Sequence, residues 1–134
     1  PGLEGDDCLG IMATKPGVDC IMVSDDKDLR TIEGRLYRPA ADEMLTSTIE
    51  DADRFFLKQV LTGDPTDGYK GVPGIGPKKA EAILGQRPSW GSVEQAYIKA
   101  GLSKDDAIVQ ARLARILRWS DWNEEKGEPI LWTP

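Results

Sequence analysis

Apolar positions along this chain switch between helical spacing and short continuous runs, the pattern of a protein that mixes helices with a buried sheet. Asp6–Lys15 carries Leu9, Ile11, Met12 and Ala13 behind acidic residues, and Pro16-Gly17 stops it, which predicts a helix. Cys20-Ile21-Met22-Val23 is a continuous apolar run, the mark of a strand buried on both faces. Arg35–Arg38 and Met44–Thr48 predict further strands around a Pro-Ala-Ala-Asp turn. In Thr48–Leu61, Ile49, Ala52, Phe56, Val60 and Leu61 recur at helical spacing, with a breaker at Gly63. Pro77 opens a short helix over Lys78–Leu84, and Gly101 stops another over Ser92–Ala100. Ser103–Ser120 is expected to be the longest helix, capped by Ser103, with Asp105 and Asp106 in its first turn. Val109, Leu113, Ile116 and Leu117 form its predicted apolar stripe, and Pro129–Trp132 predicts a short strand or a strap on the core.

A helix followed by a buried strand points to an α/β sheet, and 134 residues suffice for one ordinary domain that buries roughly two-thirds of its unfolded surface. The composition, 40% apolar and 30% charged, is that of a soluble globular protein, expected in the cytoplasm. No apolar run approaches the roughly 18 residues of a membrane span, and the first residues lack a signal peptide's basic and apolar regions. Cys8 and Cys20 sit in apolar stretches with no metal-type spacing, so buried free thiols are expected, in keeping with a reducing compartment. Histidine is absent, which leaves carboxylates, lysine or bound metal for any catalysis. A net charge of −6 argues against nucleic acid unless many of the acids gather around cations, where two divalent ions would cancel about four charges.

Three acidic groups invite that reading. Glu4-Gly5-Asp6-Asp7 precedes the first helix, where acids also serve as plain N-terminal caps. Asp25-Asp26-Lys27-Asp28 directly follows the buried strand, the place where open α/β sheets bind ligands, although a solvated turn would look the same. Asp64 and Asp67 lie three apart after the next helix, so one turn can face both to one point. Seven carboxylates gathered without cations would be forced to protonate, and an all-oxygen set favours Mg²⁺ or Mn²⁺ over zinc. Two such ions about 4 Å apart can activate water and stabilise a leaving oxygen in phosphodiester cleavage.

The stretch Gly71–Lys79 is a glycine hairpin running into a basic helix start. Gly74 and Gly76 allow close approach to a phosphate, Ile75 anchors the turn, and Lys70, Lys78 and Lys79 supply charge. It is neither a Walker loop nor a dinucleotide fingerprint, and a purely structural turn is its plain alternative. Arg112, Arg115 and Arg118 recur every three residues as a basic stripe, readable as DNA contact or as a solvated helix face. Trp90, Trp119, Trp122 and Trp132 could stack bases, but core packing is their ordinary use.

Together these motifs resemble the 5′-nuclease, or flap-endonuclease, superfamily, and are most similar to the 5′–3′ exonucleases of T7-like bacteriophages. Leu3–Asp7 matches the family's Glu-x-Asp-Asp element, Ser24–Leu29 its Asp-x-Asp after a strand, and Gly63–Ala80 its Asp-x-x-Asp with a helix–two-turn–helix motif. The resemblance implies a partial parallel sheet of the PIN/5′-nuclease type in residues 1–62. A helical, DNA-binding helix–two-turn–helix region with the C-terminal helices would follow in 63–134. It implies two-metal catalysis, with Glu4 and Asp6 on one ion, Asp26, Asp28 and Asp67 on the second, and Asp7 and Asp64 in support. Lys70, Gly71, Gly74, Ile75, Gly76, Lys78 and Lys79 would grip the duplex backbone, around a K⁺ ion held by main-chain carbonyls. The implied substrate is double-stranded DNA with 5′ ends, nicks or flaps, RNA–DNA hybrids included, in a host bacterial cytoplasm if the chain is phage-encoded.

In one respect the chain departs from the pattern. Family members begin with a strand bearing a metal-binding Asp and then a helical arch with Lys and Arg, and neither precedes Pro1. The chain therefore resembles a C-terminal portion, expected to bind duplex and one metal with weak or absent cleavage. The rival reading is a non-catalytic duplex-DNA-binding module that uses the hairpin alone and has no need of the acids.

Overall fold

The computed structural model describes residues 3–134, which group into two compact units. One comprises the chain up to Ala52 together with Ile116–Leu131; the other comprises Asp53–Arg115 and Trp132–Pro134.

In the first unit, α1 (Gly5–Thr14) precedes a three-stranded sheet of β1 (Ile21–Val23), β2 (Gly34–Arg38) and β3 (Glu43–Ser47). The strand order is β1-β2-β3; β1 runs parallel to β2, with Met22 opposite Leu36, and β3 is antiparallel. Met22, Leu29, Ile32, Leu36 and Ile116 are its buried core, with Leu9, Ala13 and Leu45 packed against them. Expected burial of the first strand on both faces is corrected here. Only Met22 is buried, while Ile21 and Val23 remain 42% and 58% exposed, because β1 pairs with β2 alone among the described residues. The cysteines are also corrected: both are free, but both are exposed.

The return segment locks onto α1 through backbone. A methyl at Gly10 would lie 2.2 Å from the Leu117 carbonyl oxygen, so only glycine permits the approach. The Leu117 amide donates to an Asp7 carboxylate oxygen at 3.0 Å, and the Trp119 amide to Thr14 Oγ1 at 2.7 Å. Arg118 is buried and donates to the Thr31 carbonyl at 2.8 Å. A small hairpin of β4 (Trp122–Asn123) and β5 (Glu128–Pro129) follows.

The second unit is helical. It takes α2 (Ile49–Thr62) from Asp53 onward, then α3 (Pro77–Leu84), α4 (Trp90–Lys99) and α5 (Lys104–Ala114). Phe56, Val60, Leu61, Tyr69, Val72 and Tyr97 lead its core. The Tyr97 hydroxyl donates to the Val60 carbonyl at 2.6 Å, and burial, aided by the charge of Asp106, pushes the phenol well above its ordinary range. Arg54 and Lys58 on α2 clamp Glu81 on α3, and the hydrogen bonds they donate, Arg54's first, hold the Glu81 carboxyl below its usual value.

The expected long helix over 103–120 ends at Ala114, where Arg115 turns extended, so α2 is longer at 14 residues against 11. Its buried face is Ala107, Ala111 and Ala114, small residues that let α5 approach α4, whereas Val109 and Leu113 are 53% and 55% exposed. The arginine stripe dissolves with the helix. Arg112 Nε donates to the Trp132 carbonyl at 3.0 Å, Arg115 lies 5.0 Å over the Phe56 ring, and Arg118 belongs to the other unit. Trp132 stands edge-on to Phe56 and Trp90, with ring centroids 5.4 and 4.9 Å away, so these two tryptophans pack rather than wait for bases.

Gly10→Ala should destabilise the protein by about 1–3 kcal/mol, measured by urea unfolding, because the new methyl overpacks a backbone contact. Gly5→Ala, with nothing within 4 Å of the methyl, should not. Glu81 contributes stability at pH values above its unfolded value of 4.5, and this is lost as pH falls through the lower folded value. Glu81→Gln should therefore flatten the acid limb of the stability–pH curve.

Candidate functional site

Helix α1 starts directly after Glu4, which is its N-cap residue and accepts the Cys8 amide at 3.2 Å through its carbonyl. In the first turn Asp6 faces the loop that leaves β1, while Asp7 accepts the Leu117 amide. That loop is folded by its own acids. Asp25 accepts the Ala40 amide at 2.9 Å, and its carbonyl takes an Arg38 guanidinium hydrogen at 3.3 Å. Asp26 donates its amide to Ser24 Oγ at 3.1 Å and accepts the Asp28 amide on Oδ1 at 2.9 Å, starting the 3₁₀ turn Lys27–Thr31.

The result is a knot of carboxyls. Asp6 is half-buried and shares a hydrogen bond with Asp26, while Asp7 and Glu4 add their negative charge. Burial first, then the Asp26 hydrogen bond and the three neighbouring charges, hold the Asp6 carboxyl above the ordinary carboxylate range. Two like charges at about 4 Å repel by about 4 kcal/mol at an effective dielectric near 20, so a shared proton or a cation is what such a contact requires. The donors are all oxygens, with no histidine in the chain, which is the donor chemistry a hard divalent cation takes. Among Glu4, Asp6, Asp7 and Asp26, only the Asp6 and Asp26 carboxyls meet; Glu4 and Asp7 act on Asp6 through their charge, and Asp28 donates its amide to the Asp26 carboxylate.

Asp64 and Asp67 belong to the second unit. Asp64 caps the 3₁₀ turn Pro65–Asp67, accepting the Thr66 amide at 3.0 Å, and pairs with Tyr69 in an isolated antiparallel bridge. The Asp67 amide donates to the Asp64 carbonyl at 3.1 Å, so the spacing of three is one closed turn, with Asp67 exposed.

From there the chain enters the hairpin through a tight crossing. Gly71 has φ +65°, and a methyl on it would lie 2.4 Å from the Gly63 nitrogen and 2.6 Å from the Leu61 oxygen. Val72–Ile75 is a type II turn. Pro73 holds the first central position, Gly74 has φ +80°, and the Ile75 amide donates to the Val72 carbonyl at 3.2 Å. Ile75 packs against the second core, while Gly74, Gly76, Lys70, Lys78 and Lys79 are exposed. Helix α3 begins at Pro77 with Gly76 as N-cap and no capping side chain, leaving its first amides available to an anion.

One contact escaped sequence reasoning. The Gly71 amide donates to Gln110 Oε1 at 3.0 Å, from a helix 39 residues further along the chain. Nothing in the local pattern around Gln110 signals it.

Comparison with known proteins follows the same lines. No family model matches the chain. An exodeoxyribonuclease of Enterobacteria phage T3 is 32% identical over a 170-residue alignment that takes in 100% of this chain and 56% of the phage protein. An exonuclease of Escherichia phage T7 is 31% identical, again over 100% of this chain, with 57% of its own length covered. The chain therefore spans about half the length of these curated relatives. A bacteriophage T5 flap endonuclease, solved as a pseudo-enzyme–product complex with DNA and metal ions, shares the fold at a TM-score of 0.68 and 18% identity. That match covers 84% of this chain and 50% of the endonuclease. Among the described residues, no helix is long and apolar enough to cross a membrane.

Asp6→Asn removes the crowded charge. Because the folded value is raised, the pair stabilises the fold most at low pH and less as pH rises through that value. The variant should melt at a higher temperature than wild type at neutral pH in EDTA, measured by calorimetry, and an unchanged or lower melting point would mean that these carboxyls do not repel.

Proposed function

We propose that the chain is, or forms part of, a metal-dependent 5′–3′ exonuclease of the 5′-nuclease superfamily, acting on duplex DNA from 5′ ends. The observation that carries the proposal is the contact between the Asp6 and Asp26 carboxyls with Glu4 and Asp7 beside them. A pure binding module gains nothing from a contact that costs stability.

In this reading residues 1–62 form the metal-binding core, and 63–134 form a helix–two-turn–helix region that grips the duplex. Glu4 and Asp6 would hold one Mg²⁺ or Mn²⁺, and Asp26, Asp28 and Asp67 a second, with Asp7 and Asp64 in support. When bound, such ions lower the pKa of a water and neutralise charge on the leaving oxygen. The protein's own part is to hold the ligands still. Asp7 commits one oxygen to the Leu117 amide, which fixes the first turn of α1, while Asp25 pins the loop that presents Asp26.

The hairpin's part is to hold the substrate backbone. Exposed Gly74 and Gly76 let phosphates come close, the uncapped start of α3 offers amides, and Lys70, Lys78 and Lys79 add charge. Main-chain carbonyls of the same hairpin would take a K⁺ ion. Backbone contacts carry no base information, so nicked, flapped or RNA–DNA hybrid duplexes are all within reach of this grip.

Paired variants test the proposal. Asp26→Asn with Asp28→Asn should abolish Mn²⁺ binding by calorimetry and remove cleavage of a 5′-recessed duplex, while duplex affinity stays the same or tightens. Lys78→Ala with Lys79→Ala should weaken duplex binding and reduce the salt slope by about 2. If Mn²⁺ binds the Asn variant as it binds wild type, the nuclease reading fails and a hairpin-only duplex binder takes its place.

A further inference from the structure

Duplex grip by the hairpin requires its turn to be held to within about 0.5 Å, and the rigid element that holds it lies far off in sequence. Gly71 is the first residue of the hairpin and is buried, in left-handed backbone with φ +65°. On one side it touches the end of α2, where the next amide, of Val72, donates to the Leu61 carbonyl at 2.9 Å. Its own amide goes instead to Gln110 Oε1 at 3.0 Å. Gln110 projects from α5 between buried Ala107 and Ala111, and the reciprocal capping box of Ser103 and Asp106 fixes where that helix starts. A side chain on a packed helix thus sets the direction in which the backbone leaves the Gly63–Gly71 crossing, three residues before exposed Gly74.

We propose that Gln110 is the positioning residue of the hairpin: by accepting the Gly71 amide it holds Gly74–Lys79 in the conformation that meets a duplex backbone. The assignment rests on the reading of the hairpin as the duplex grip. It makes Gln110 neither a catalytic residue nor a DNA contact, and its effect passes through Gly71.

Three variants of the full chain separate this from a role in stability alone, with duplex affinity read by fluorescence anisotropy on a labelled 5′-recessed duplex in Ca²⁺ buffer. Gln110→Met keeps the volume and removes the acceptor. It should raise the duplex Kd about tenfold, the equivalent of one buried hydrogen bond, with a melting temperature that falls, because the Gly71 amide loses its acceptor, but stays above the assay temperature. Gln110→Glu keeps an acceptor at the same reach and should restore the wild-type Kd at about 0.15 M salt, where added charge is largely screened. Lys78→Ala with Lys79→Ala reports on the underlying reading. Wild-type affinity in Gln110→Met, with affinity lost in the lysine variant, overturns the positioning role alone. Wild-type affinity in the lysine variant overturns the grip and the positioning role with it. Should Gln110→Met fail to fold, hydrogen exchange at the Gly71 amide of wild type decides. Protection that increases on duplex binding supports the assignment, and fast exchange with and without duplex overturns it.

Discussion

The backbone crossing of Gly63 and Gly71 is the constraint on which the helical unit's candidate chemistry depends. Both residues have positive φ, and a methyl on either would lie within 2.4 Å of the other strand's backbone atoms. No other residue type fits, so the two strands of chain meet without side chains between them. Everything between the two glycines becomes a closed loop, and Asp64 and Asp67 occupy its one tight turn. Everything after Gly71 leaves in a set direction, towards the type II turn at Pro73-Gly74 and the uncapped start of α3. An acidic turn and an anion-ready helix start are thus produced by one contact.

The α/β unit follows the opposite logic, gathering like charges rather than excluding side chains. Its acids divide their labour by the hydrogen bonds they make. Asp25 accepts the Ala40 amide and Asp7 the Leu117 amide, so these carboxylates hold the scaffold. Asp26 folds its own turn through the Asp28 amide and still meets Asp6. Asp6 bears the cost, its carboxyl held above the ordinary carboxylate range by burial and by its neighbours. A cluster that opposes its own ionisation is the kind of stored destabilisation that a bound cation relieves, and selection for stability alone would remove it.

Much of this was legible locally. The strands at Arg35–Arg38 and Met44–Thr48, the stop at Gly63 and Pro77 at a helix start all follow from propensity and short-range sterics, and each element appears within a residue or two of its expected bounds. Where expectation failed, a distant partner was the reason. Val109 and Leu113 read as core because they are large and apolar at helical spacing, yet α5 buries its alanines, which allow close approach to α4. The run at Cys20–Val23 reads as doubly buried, but burial depends on what covers a strand, and β1 pairs with β2 alone among the described residues. Arg112, Arg115 and Arg118 read as one basic face, whereas the helix ends between the first two and each guanidinium has its own task.

By itself, then, the sequence determined the chemistry on offer: oxygen ligands without histidine, acids in three groups at turn-forming spacing, and a glycine hairpin ahead of two lysines. These are properties of residue type and of neighbours a few positions apart, and short-range physics reads them directly. Tertiary structure alone decided which carboxyls touch, that Ile116–Leu131 packs with the first unit, and that Gln110 meets Gly71. Contacts of that kind join residues tens to more than a hundred positions apart, as in the Leu117 amide on Asp7. Their geometry is set by the packing of whole elements, which no local pattern encodes.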